Sequence, residues 1–294
     1  MPIEPSQLVL NPDGSVYHLR LRPEHIADTI LLVGDPDRVG QVSKHFDRIE
    51  HQIQKREFIT HTGYLGNQRL SVISTGIGTD NIDIVVNELD ALANIDLTTR
   101  TPIAVPRSLR LIRVGTSGCL DPEVPIDSFI ASRFGLGLDG LLLYYRRQPT
   151  PDETALQESY TDYLAARQFR FPVPLYAAQG QQAWADVLQS KGFATGITIT
   201  APGFYAPQMR SLRAPLALSD FFHLTLDFRF KGLSVTNFEM ETSALFGLSN
   251  LLGHKALSLN AVVAHRYHQQ FSADPLGTVD KLIRAVLDWL SASE

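Results

Sequence analysis

The chain has 294 residues and a formal net charge of −5, with 44% hydrophobic and 19% charged residues. This composition is typical of a globular protein with a large core, and the lack of a long basic run argues against an extended nucleic-acid-binding surface. The single cysteine, Cys119, cannot form an intrachain disulfide, and the sequence shows neither a secretion signal nor an apolar run of membrane-spanning length. We therefore expect one domain over residues 1–294 and a location in the cytoplasm.

Hydrophobic patterning in the first part of the chain predicts strands that alternate with helices. A short apolar run leads through a glycine-bearing turn into a helix, and a hairpin follows in which Gly66 and Asn67 separate the two strands. The predicted elements are a strand at residues 29–33, a helix at 39–46, hairpin strands at 57–64 and 69–74, and a helix at 81–93.

The same alternation continues to the end of the chain. The predicted strands cover residues 109–114, 128–132, 141–145, 193–201, 233–236 and 256–264, and the predicted helices cover residues 154–168, 181–191, 239–252 and 276–290. Strands that alternate with helices are typical of parallel sheets covered on both faces. We therefore predict a single-domain α/β fold with a mixed, largely parallel central sheet flanked by helices on both faces.

Residues 111–118 predict a strand that stops at a polar, tightly turning end. Arg113 lies in this stretch and is followed by two glycines that bracket Thr116 and a second hydroxyl. Glycine lets backbone N–H groups approach an anion closely, and the planar guanidinium matches phosphate oxygens. These features are compatible with an anion site, but an arginine at a strand end also pairs commonly with a surface carboxylate, and this stretch alone does not separate the two interpretations.

Three other arginines are candidates for the same anion. Arg38 follows the turn at Gly34, Arg56 opens a predicted hairpin strand, and Arg266 follows a late strand. Arg38 and Arg113 are both predicted just past the carboxyl ends of parallel strands, and that edge of an open α/β sheet is where ligands bind.

Two glutamates lie near the start of the helix predicted over residues 239–252. If that helix begins near Met240, Glu241 shares a face with an apolar stripe of leucines, where a carboxylate is costly unless it has a partner. The helix N-terminus would keep it ionised as an acceptor for ligand hydroxyls. Alternatively, Glu239 and Glu241 only stabilise the first helical turn.

Two further patterns have structural explanations. Residues 135–140 match the letters of a dinucleotide fingerprint, but a strand is predicted after them instead of a helix, which favours a glycine hairpin turn. His265 and His268 have the spacing of metal ligands, but no third ligand lies nearby in the sequence. We therefore expect neither a dinucleotide site nor a zinc site.

Several stretches, taken in their order, are similar to a known family. They are Val33-Gly34-Asp35-Pro36-Asp37-Arg38-Val39, Arg56-Glu57-Phe58, Ser74-Thr75-Gly76-Ile77-Gly78, Arg113-Val114-Gly115-Thr116-Ser117-Gly118 and Asn237-Phe238-Glu239-Met240-Glu241. This series resembles the nucleoside phosphorylase family. The run Gly203-Phe204-Tyr205-Ala206-Pro207-Gln208-Met209-Arg210 makes the uridine phosphorylases the closest match within it. The resemblance extends from about Val16 to the C-terminal helix.

The resemblance implies a phosphate site that is shared between subunits. Gly34, Arg38, Arg113 and Thr116 would bind phosphate within one subunit. Arg56 would reach the same site from the neighbouring subunit. The family resemblance therefore implies a homo-oligomer with sites completed across a dimer interface.

The resemblance also implies which residues hold the ribose. The sugar would lie over Met240, and Glu241 would accept hydrogen bonds from its hydroxyls. His18 would cross the dimer interface and bind the 5′-hydroxyl of the nucleoside in the neighbouring subunit. His18 and Arg56 of one subunit would therefore both serve the site of its partner.

The base site is implied in the same way. Phe204, Gln208 and Arg210 would hold the uracil, and Arg266 would steady the loop that carries them. The remaining residues of this pocket are Ser117, Gly118 and Glu239.

The activity implied by the resemblance is reversible phosphorolysis of uridine to uracil and ribose 1-phosphate, a pentosyltransferase reaction. Inorganic phosphate is a co-substrate, and no metal, organic cofactor, nucleic acid or membrane is expected to take part. The catalytic residues implied are Arg38, Arg113, Gln208, Arg210 and Glu241.

The sequence departs from the family pattern at a few positions. Ser117 replaces a common threonine but keeps the hydroxyl, and Asn81 replaces a serine that binds a monovalent cation in some relatives, so we do not expect that cation here. Residues 94–107 and 150–174 are expanded, which leaves the oligomer size open. Alternative functions are a purine nucleoside phosphorylase, a nucleosidase of the same fold and a non-catalytic nucleoside-binding protein.

Overall fold

The computed structural model describes residues 2–218 and 221–292, and within them the chain forms two compact units. The first unit contains residues 2–114, 248–256 and 283–292, and the second contains residues 115–218, 221–247 and 257–282. The expectation of one domain over residues 1–294 stays a prediction.

The first unit contains a sheet built around a short buried strand. Its elements are β1 (Thr29–Val33), α1 (Pro36–Ser43), β2 (Arg48–Lys55), β3 (Phe58–Leu65), β4 (Gln68–Ser74), α2 (Thr79–Asn94), β5 (Ile95–Asp96), β6 (Thr101–Pro102) and the first half of β7 (Arg110–Cys119). The strand order is β7-β1-β4-β3-β2, with β1 parallel to both β4 and β7 and with β3 antiparallel to its two neighbours. β5 pairs only with β6, as a small antiparallel ladder.

Local sequence explains the helices of this unit. Asp35 caps α1 by accepting a hydrogen bond from the backbone N–H of Asp37 at 3.0 Å, and Pro36 occupies the first helical position, where no N–H is needed. In α2 the apolar residues Ile82 and Leu89, with those between them at helical spacing, are fully buried. α2 is therefore fixed by its buried face.

The second unit contains the remaining strands and helices. They are the second half of β7, β8 (Phe129–Gly137), α3 (Pro151–Ala165), β9 (Tyr176–Gln179), α4 (Gln182–Ser190), β10 (Ala194–Thr200), α5 (Phe221–Leu226), β11 (Arg229–Phe230), β12 (Leu233–Glu239), α6 (Thr242–Leu252), β13 (Lys255–His265), β14 (Gln270–Phe271) and α7 (Pro275–Ser291). β13, α6 and α7 have residues in both units.

Parallel strands form the centre of the second unit. β10 pairs in parallel with both β8 and β12, and β13 pairs antiparallel with β8. Short antiparallel strands complete the edges. The core against this sheet is aromatic, with Phe134, Tyr160, Phe221, Phe228 and Phe238 all buried. These rings supply a large area of apolar burial for a sheet whose strands also carry many hydroxyls.

The predicted α/β class with a mixed sheet is confirmed, and so are the hairpin of β3 and β4 and the helix α2. The strand predicted at residues 141–145 is wrong, because these residues form a 3₁₀ helix at Leu141–Tyr144. Gly140 precedes it in the left-handed region with φ of 78°, and Asp139 accepts a hydrogen bond from the backbone N–H of Leu141 at 2.8 Å. The predicted glycine hairpin is therefore also wrong, since a 3₁₀ helix and not a returning strand follows Gly140 directly.

No helix in the described part of the chain combines the length and the apolar character that a bilayer crossing requires. The predicted cytoplasmic location is not tested by this observation and stays a prediction.

Candidate active site

The structure brings Arg38 to the strand that carries Arg113. Arg38 lies in the first turn of α1, directly after β1, and its Nη1 donates a hydrogen bond to the carbonyl oxygen of Val114 at 3.2 Å. Arg113 lies on β7 opposite Leu32 of β1, and only 5% of its surface is exposed. In the first unit, Arg38 thus contacts the backbone of the residue that follows Arg113.

Gly34 lies beside these arginines at the end of β1. A Cβ at this position would lie 3.5 Å from the carbonyl oxygen of Gly76, which follows β4. The turns after the two neighbouring parallel strands are therefore packed against each other, as expected for a ligand-binding edge of an α/β sheet.

Residues 115–118 do not form the predicted glycine turn. β7 continues to Cys119, because Gly118 and Cys119 pair with Phe238 and Asn237 of β12. The prediction that Arg113 lies just past a strand end is therefore wrong, since it lies inside a strand of ten residues. Gly118 lies against the side chains of Arg210 and Arg266, and Thr116 is half-buried on the same strand.

Arg56 and His18 lie on neighbouring segments of the first unit. Arg56 is exposed in the tight turn between β2 and β3 and has a left-handed φ of 54°. The preceding residue, Lys55, donates hydrogen bonds from Nζ to the carbonyl oxygen of Tyr17 and to Oδ1 of Asn11. The two residues implied to serve the partner's site are therefore joined through the contact between Lys55 and Tyr17.

His18 is held by a carboxylate of α2. Its Nδ1 lies 2.7 Å from Oε1 of Glu88, and the backbone N–H groups of His18 and Leu19 also donate to this carboxylate. The His18 side chain remains 30% exposed. Sequence reasoning missed both Glu88 and Lys55, because no sequence pattern connects residues that are 38 or more positions apart from their hydrogen-bond partners.

The second unit gathers the predicted base-binding residues on one loop. Gln208 is 2% exposed, and its Oε1 accepts a hydrogen bond from Nη1 of Arg210 at 2.6 Å. The Arg210 guanidinium also donates to the carbonyl oxygen of Phe204 at 2.8 Å and lies 3.9 Å from the centre of the Phe204 ring. Nη1 of Arg266 donates to the carbonyl oxygen of Gln208 at 2.8 Å. The loop is thus fixed by two arginines.

Burial affects both arginines, and Arg210 remains charged at neutral pH. Burial, followed by the nearby Arg266 charge, lowers the pKa of Arg210 to about 10. Burial also lowers the pKa of Arg266. Positive charge therefore faces any ligand that binds against this loop.

Two buried polar atoms in this region lack partners within the described residues. They are Nε2 of Gln208 and Oγ of Ser117, and the exposed fraction of each residue is 6% or less. A Cβ at Gly118 would lie 3.6 Å from Nη2 of Arg210 and 3.4 Å from Cγ of Arg266, so the strand passes close beneath both arginines. Buried polar groups normally have a hydrogen-bond partner, so these two atoms are candidates for contact with a polar ligand.

An open space borders this loop. A pocket of about 470 Å³ is lined by residues that include Met209, Phe222 and Arg266. Its size is in the range of small-molecule sites.

The glutamates at residues 239 and 241 have different roles. Glu239 ends β12 and caps α6, since its Oε2 accepts hydrogen bonds from the backbone N–H groups of Glu241 and Thr242, each at 2.9 Å. Its Oε1 accepts a hydrogen bond from Thr200 at 2.7 Å. Glu241 is 3% exposed and directly precedes α6, which begins two residues later than the predicted start near Met240. Its carbonyl oxygen accepts a hydrogen bond from the backbone N–H of Leu245 at 3.0 Å, and its predicted role as an acceptor for ligand hydroxyls stays a prediction. Met240, between them, is half-buried.

His265 and His268 bind backbone carbonyl groups. Their Nε2 atoms lie 3.0 Å from the carbonyl oxygen of Val124 and 3.2 Å from that of Pro122. Within residues 2–218 and 221–292, no group of three His, Cys, Asp or Glu side chains could hold a metal ion. The two histidines therefore hold the loop that contains Pro122 and Val124.

The sequence matches the model of the Phosphorylase superfamily over residues 28–287. The chain belongs to the phosphorylase superfamily. A uridine phosphorylase of Thermococcus kodakarensis is 30% identical over 264 residues, covering 88% of this chain and 80% of its own. A DeoD-type purine nucleoside phosphorylase of Alkaliphilus metalliredigens is 27% identical over 248 residues, covering 83% of this chain and 85% of its own.

The fold agrees with the superfamily assignment. The crystal structure of a Trypanosoma brucei nucleoside phosphorylase that shows uridine phosphorylase activity superposes with a TM-score of 0.87 and 27% sequence identity. The match covers 97% of this chain and all of that one. This phosphorylase is therefore a pentosyltransferase that acts on nucleosides, and the predicted family, fold and enzyme class are confirmed.

Proposed function

We propose that this enzyme catalyses the reversible phosphorolysis of uridine to uracil and ribose 1-phosphate. The observation that carries the proposal is the buried Gln208 amide, whose Nε2 lacks a partner among the described residues while its Oε1 is held by Arg210. This pair lies on the loop that Arg266 fixes.

The amide and the guanidinium match the edge of uracil. Gln208 Nε2 donates to a uracil carbonyl oxygen, and its Oε1 accepts from the ring N–H. Cytosine reverses this pattern, so its binding would leave buried polar groups unpaired, which costs about 1–3 kcal/mol for each group. Arg210 adds a cationic donor at the other carbonyl oxygen, and the Phe204 ring offers an apolar face.

The chemistry needs charge at two places. As the glycosidic bond breaks, the sugar ring becomes positive and the departing base becomes negative. We assign Arg210 and Gln208 to the base, where their hydrogen bonds strengthen as charge develops. Phosphate attacks the sugar with its oxygens held by Arg38, Arg113 and the partner's Arg56, and the bond between sugar and base passes its electron pair to the base.

The other assigned residues hold phosphate and sugar. Gly34 and Thr116 complete the phosphate site through a backbone N–H and a hydroxyl. Glu241 accepts from the ribose hydroxyls above Met240, and the partner's His18 binds the 5′-hydroxyl. Ser117, Gly118 and Glu239 line the base pocket.

A purine nucleoside phosphorylase is the second candidate, because one of the relatives carries that name. The Gln208 and Arg210 pair argues against it, since a purine presents a different pattern of donors and acceptors to the same loop.

Base release from purified protein separates these functions. The protein is incubated with uridine, inosine or cytidine, each with and without inorganic phosphate, and free base is measured by chromatography. Uracil release that requires phosphate supports the proposal. Release of hypoxanthine in preference to uracil indicates the purine enzyme, release without phosphate indicates a nucleosidase, and binding without release indicates a nucleoside-binding protein.

A further inference from the structure

We propose that Glu88 is a positioning residue for the His18 ring, holding it so that Nε2 faces the 5′-hydroxyl of the nucleoside bound by the neighbouring subunit. This inference rests on the proposed function, because it takes from it both the nucleoside substrate and the delivery of His18 to the partner's site. It adds a residue that no sequence motif marked.

The contacts around Glu88 converge on one short segment. Its Oε1 accepts from Nδ1 of His18 at 2.7 Å and from the His18 backbone N–H at 2.8 Å, and its Oε2 accepts from the Leu19 backbone N–H at 2.8 Å. One carboxylate therefore fixes the backbone and the ring of the same histidine. Such charge-assisted hydrogen bonds are stronger than neutral ones.

The base of this arrangement is rigid. Glu88 projects from α2, whose apolar residues Val85, Val86 and Leu89 are fully buried in the core. The Glu88 side chain itself is 14% exposed, so solvent competes little for its oxygens. A ring held from a packed helix keeps its orientation before any ligand arrives.

The carboxylate also determines the tautomer of the neutral ring. An ionised carboxylate only accepts hydrogen bonds, so the ring proton must lie on Nδ1, facing Glu88. Nε2 is then the acceptor of the ring. The 5′-hydroxyl of a nucleoside can donate to it, and the opposite tautomer would present a second donor there.

A second contact supports the same segment from β2. The Lys55 ammonium lies 4.5 Å from the centre of the Tyr17 ring and donates to the Tyr17 carbonyl oxygen. The Tyr17 ring in turn packs edge-on against the His18 ring, with centres 4.9 Å apart. The histidine is therefore held on its flank as well as at Nδ1.

The test compares uridine with 5′-deoxyuridine, which lacks the hydroxyl that His18 is proposed to bind. We would measure kcat/KM for both nucleosides, at saturating phosphate, in the wild-type enzyme and in Glu88→Gln, His18→Ala and the double variant. Glu158→Gln is the matched control, because it makes the same change on an exposed face of α3.

We expect Glu88→Gln to lower kcat/KM for uridine about 10-fold, a typical effect of losing one charged hydrogen-bond partner, and to change kcat/KM for 5′-deoxyuridine by less than about 2-fold. The double variant should match His18→Ala on uridine, because both changes remove the same contact. Glu158→Gln should match the wild-type enzyme on both nucleosides.

Equal losses on both nucleosides would show that Glu88 has only a structural role and would overturn the proposal. Wild-type kcat/KM values that do not differ between the two nucleosides would also overturn it, while leaving uridine phosphorolysis established. A wild-type enzyme without phosphate-dependent uracil release would instead refute the proposed function itself.

A measurement on the wild-type protein decides the matter if Glu88→Gln does not fold. In ¹⁵N-histidine NMR spectra, assigned with His18→Ala, we expect the neutral His18 ring to carry its proton on Nδ1. A neutral ring with its proton on Nε2 would contradict the inference.

Discussion

At the scale of single residues, the polar side chains of the base loop hold one another in place. Arg210 is bound to Gln208, to the backbone of Phe204 and to the face of the Phe204 ring, and none of these contacts uses Gln208 Nε2. The hydrogen-bond donors of Arg210 and Gln208 are therefore held in fixed positions, and Gln208 Nε2 is still available to a ligand. Ordered donors are effective because they need little reorganisation when charge develops on the base.

Gln208→Ala should slow uridine phosphorolysis, because it removes a donor to the departing base. Losing such a donor typically raises the barrier by about 3–4 kcal/mol, which lowers kcat/KM by roughly 100- to 1,000-fold. The measurement is steady-state kinetics with uridine, and Gln7→Ala, which changes an exposed glutamine, is the control. A Gln208→Ala enzyme that is as fast as wild type would remove this residue from the base site.

At this scale the sequence predicted which residue types matter better than how they are arranged. The resemblance to the uridine phosphorylases singled out Gln208 and Arg210, and the structure joins the two side chains by a hydrogen bond. The role of Glu239 as the cap of α6 was not predicted, because a small uncertainty in the helix start decides whether a glutamate lies before the helix or in its first turn.

At the scale of elements, close packing between β8 and α6 places the residues before that helix. An added Cβ at Gly135 would lie 2.7 Å from Cα and 2.8 Å from the backbone N of Ser243. Backbone atoms cannot move aside as the end of a flexible side chain can. The start of α6, just after Glu239 and Glu241, therefore depends on this glycine.

Gly135→Ala should destabilise the enzyme by about 1–3 kcal/mol, as overpacking commonly does, and should also lower activity because it shifts the start of α6. Gly40→Ala in α1 is the matched control. Nothing lies within 4 Å of an added Cβ there, so it should stabilise the protein by about 0.5–1 kcal/mol. Urea unfolding of both variants tests this, and equal effects would contradict the packing argument.

Sequence patterns predicted the long, periodic elements. They missed elements whose burial depends on tertiary packing and not on a local hydrophobic pattern. α2 and the hairpin of β3 and β4 have clear periodicity. β2 was not predicted, because it is a polar edge strand whose residues are at most half-buried. Residues 141–145 carry a β-like apolar run, yet Tyr144 is 89% exposed and the run forms a 3₁₀ helix after the turn at Gly140.

At the scale of the whole molecule, the buried His265 and the half-buried His61 make stability depend on pH. Burial, and then the charge of His268, lowers the pKa of His265, and burial lowers the pKa of His61. As the pH falls below the ordinary value of 6.5, the unfolded chain takes up these protons more readily than the folded chain. The free energy of unfolding should therefore decrease as the pH is lowered from 6.5 towards the lower pKa values of the folded state. Above pH 6.5 these two histidines should cause no change of the free energy of unfolding with pH.

His265→Gln should make that fall shallower, because the amide keeps a donor for Val124 and does not titrate. Urea unfolding at pH 7.5, 6.5 and 5.5 measures the slope, with His223→Gln at an exposed position as the control. If His265→Gln leaves the slope unchanged, other groups cause the pH dependence.

Sites shared between subunits should complement each other. Co-expression of Arg56→Ala with Gln208→Ala should restore about a quarter of wild-type activity, because half of randomly assembled dimers are mixed and each has one intact site. Mixing Gln208→Ala with Arg113→Ala should restore nothing, since those residues are assigned to the same subunit's site. Recovery in the second mixture, or none in the first, would contradict sharing through Arg56.

The residues assigned to the subunit interface lie on two segments that contact each other within the first unit. The residues implied to cross an interface, Arg56 and His18, belong to a single polypeptide in the structure, and only family resemblance assigns them to a partner. What the structure adds is that Lys55 and Tyr17 join their two segments. Contacts of this kind depend on tertiary packing, and local sequence patterns do not encode them.

The position of His18 ahead of the family-matched region has a practical consequence. The match begins at residue 28, so a polypeptide trimmed to that boundary keeps its own arginines and its own base loop. It would nevertheless deprive its neighbour of the histidine that meets the sugar's 5′ end. In such a truncated enzyme, removing residues from one chain would impair the nucleoside site of the neighbouring subunit. Glu88 would then have no imidazole ring to orient.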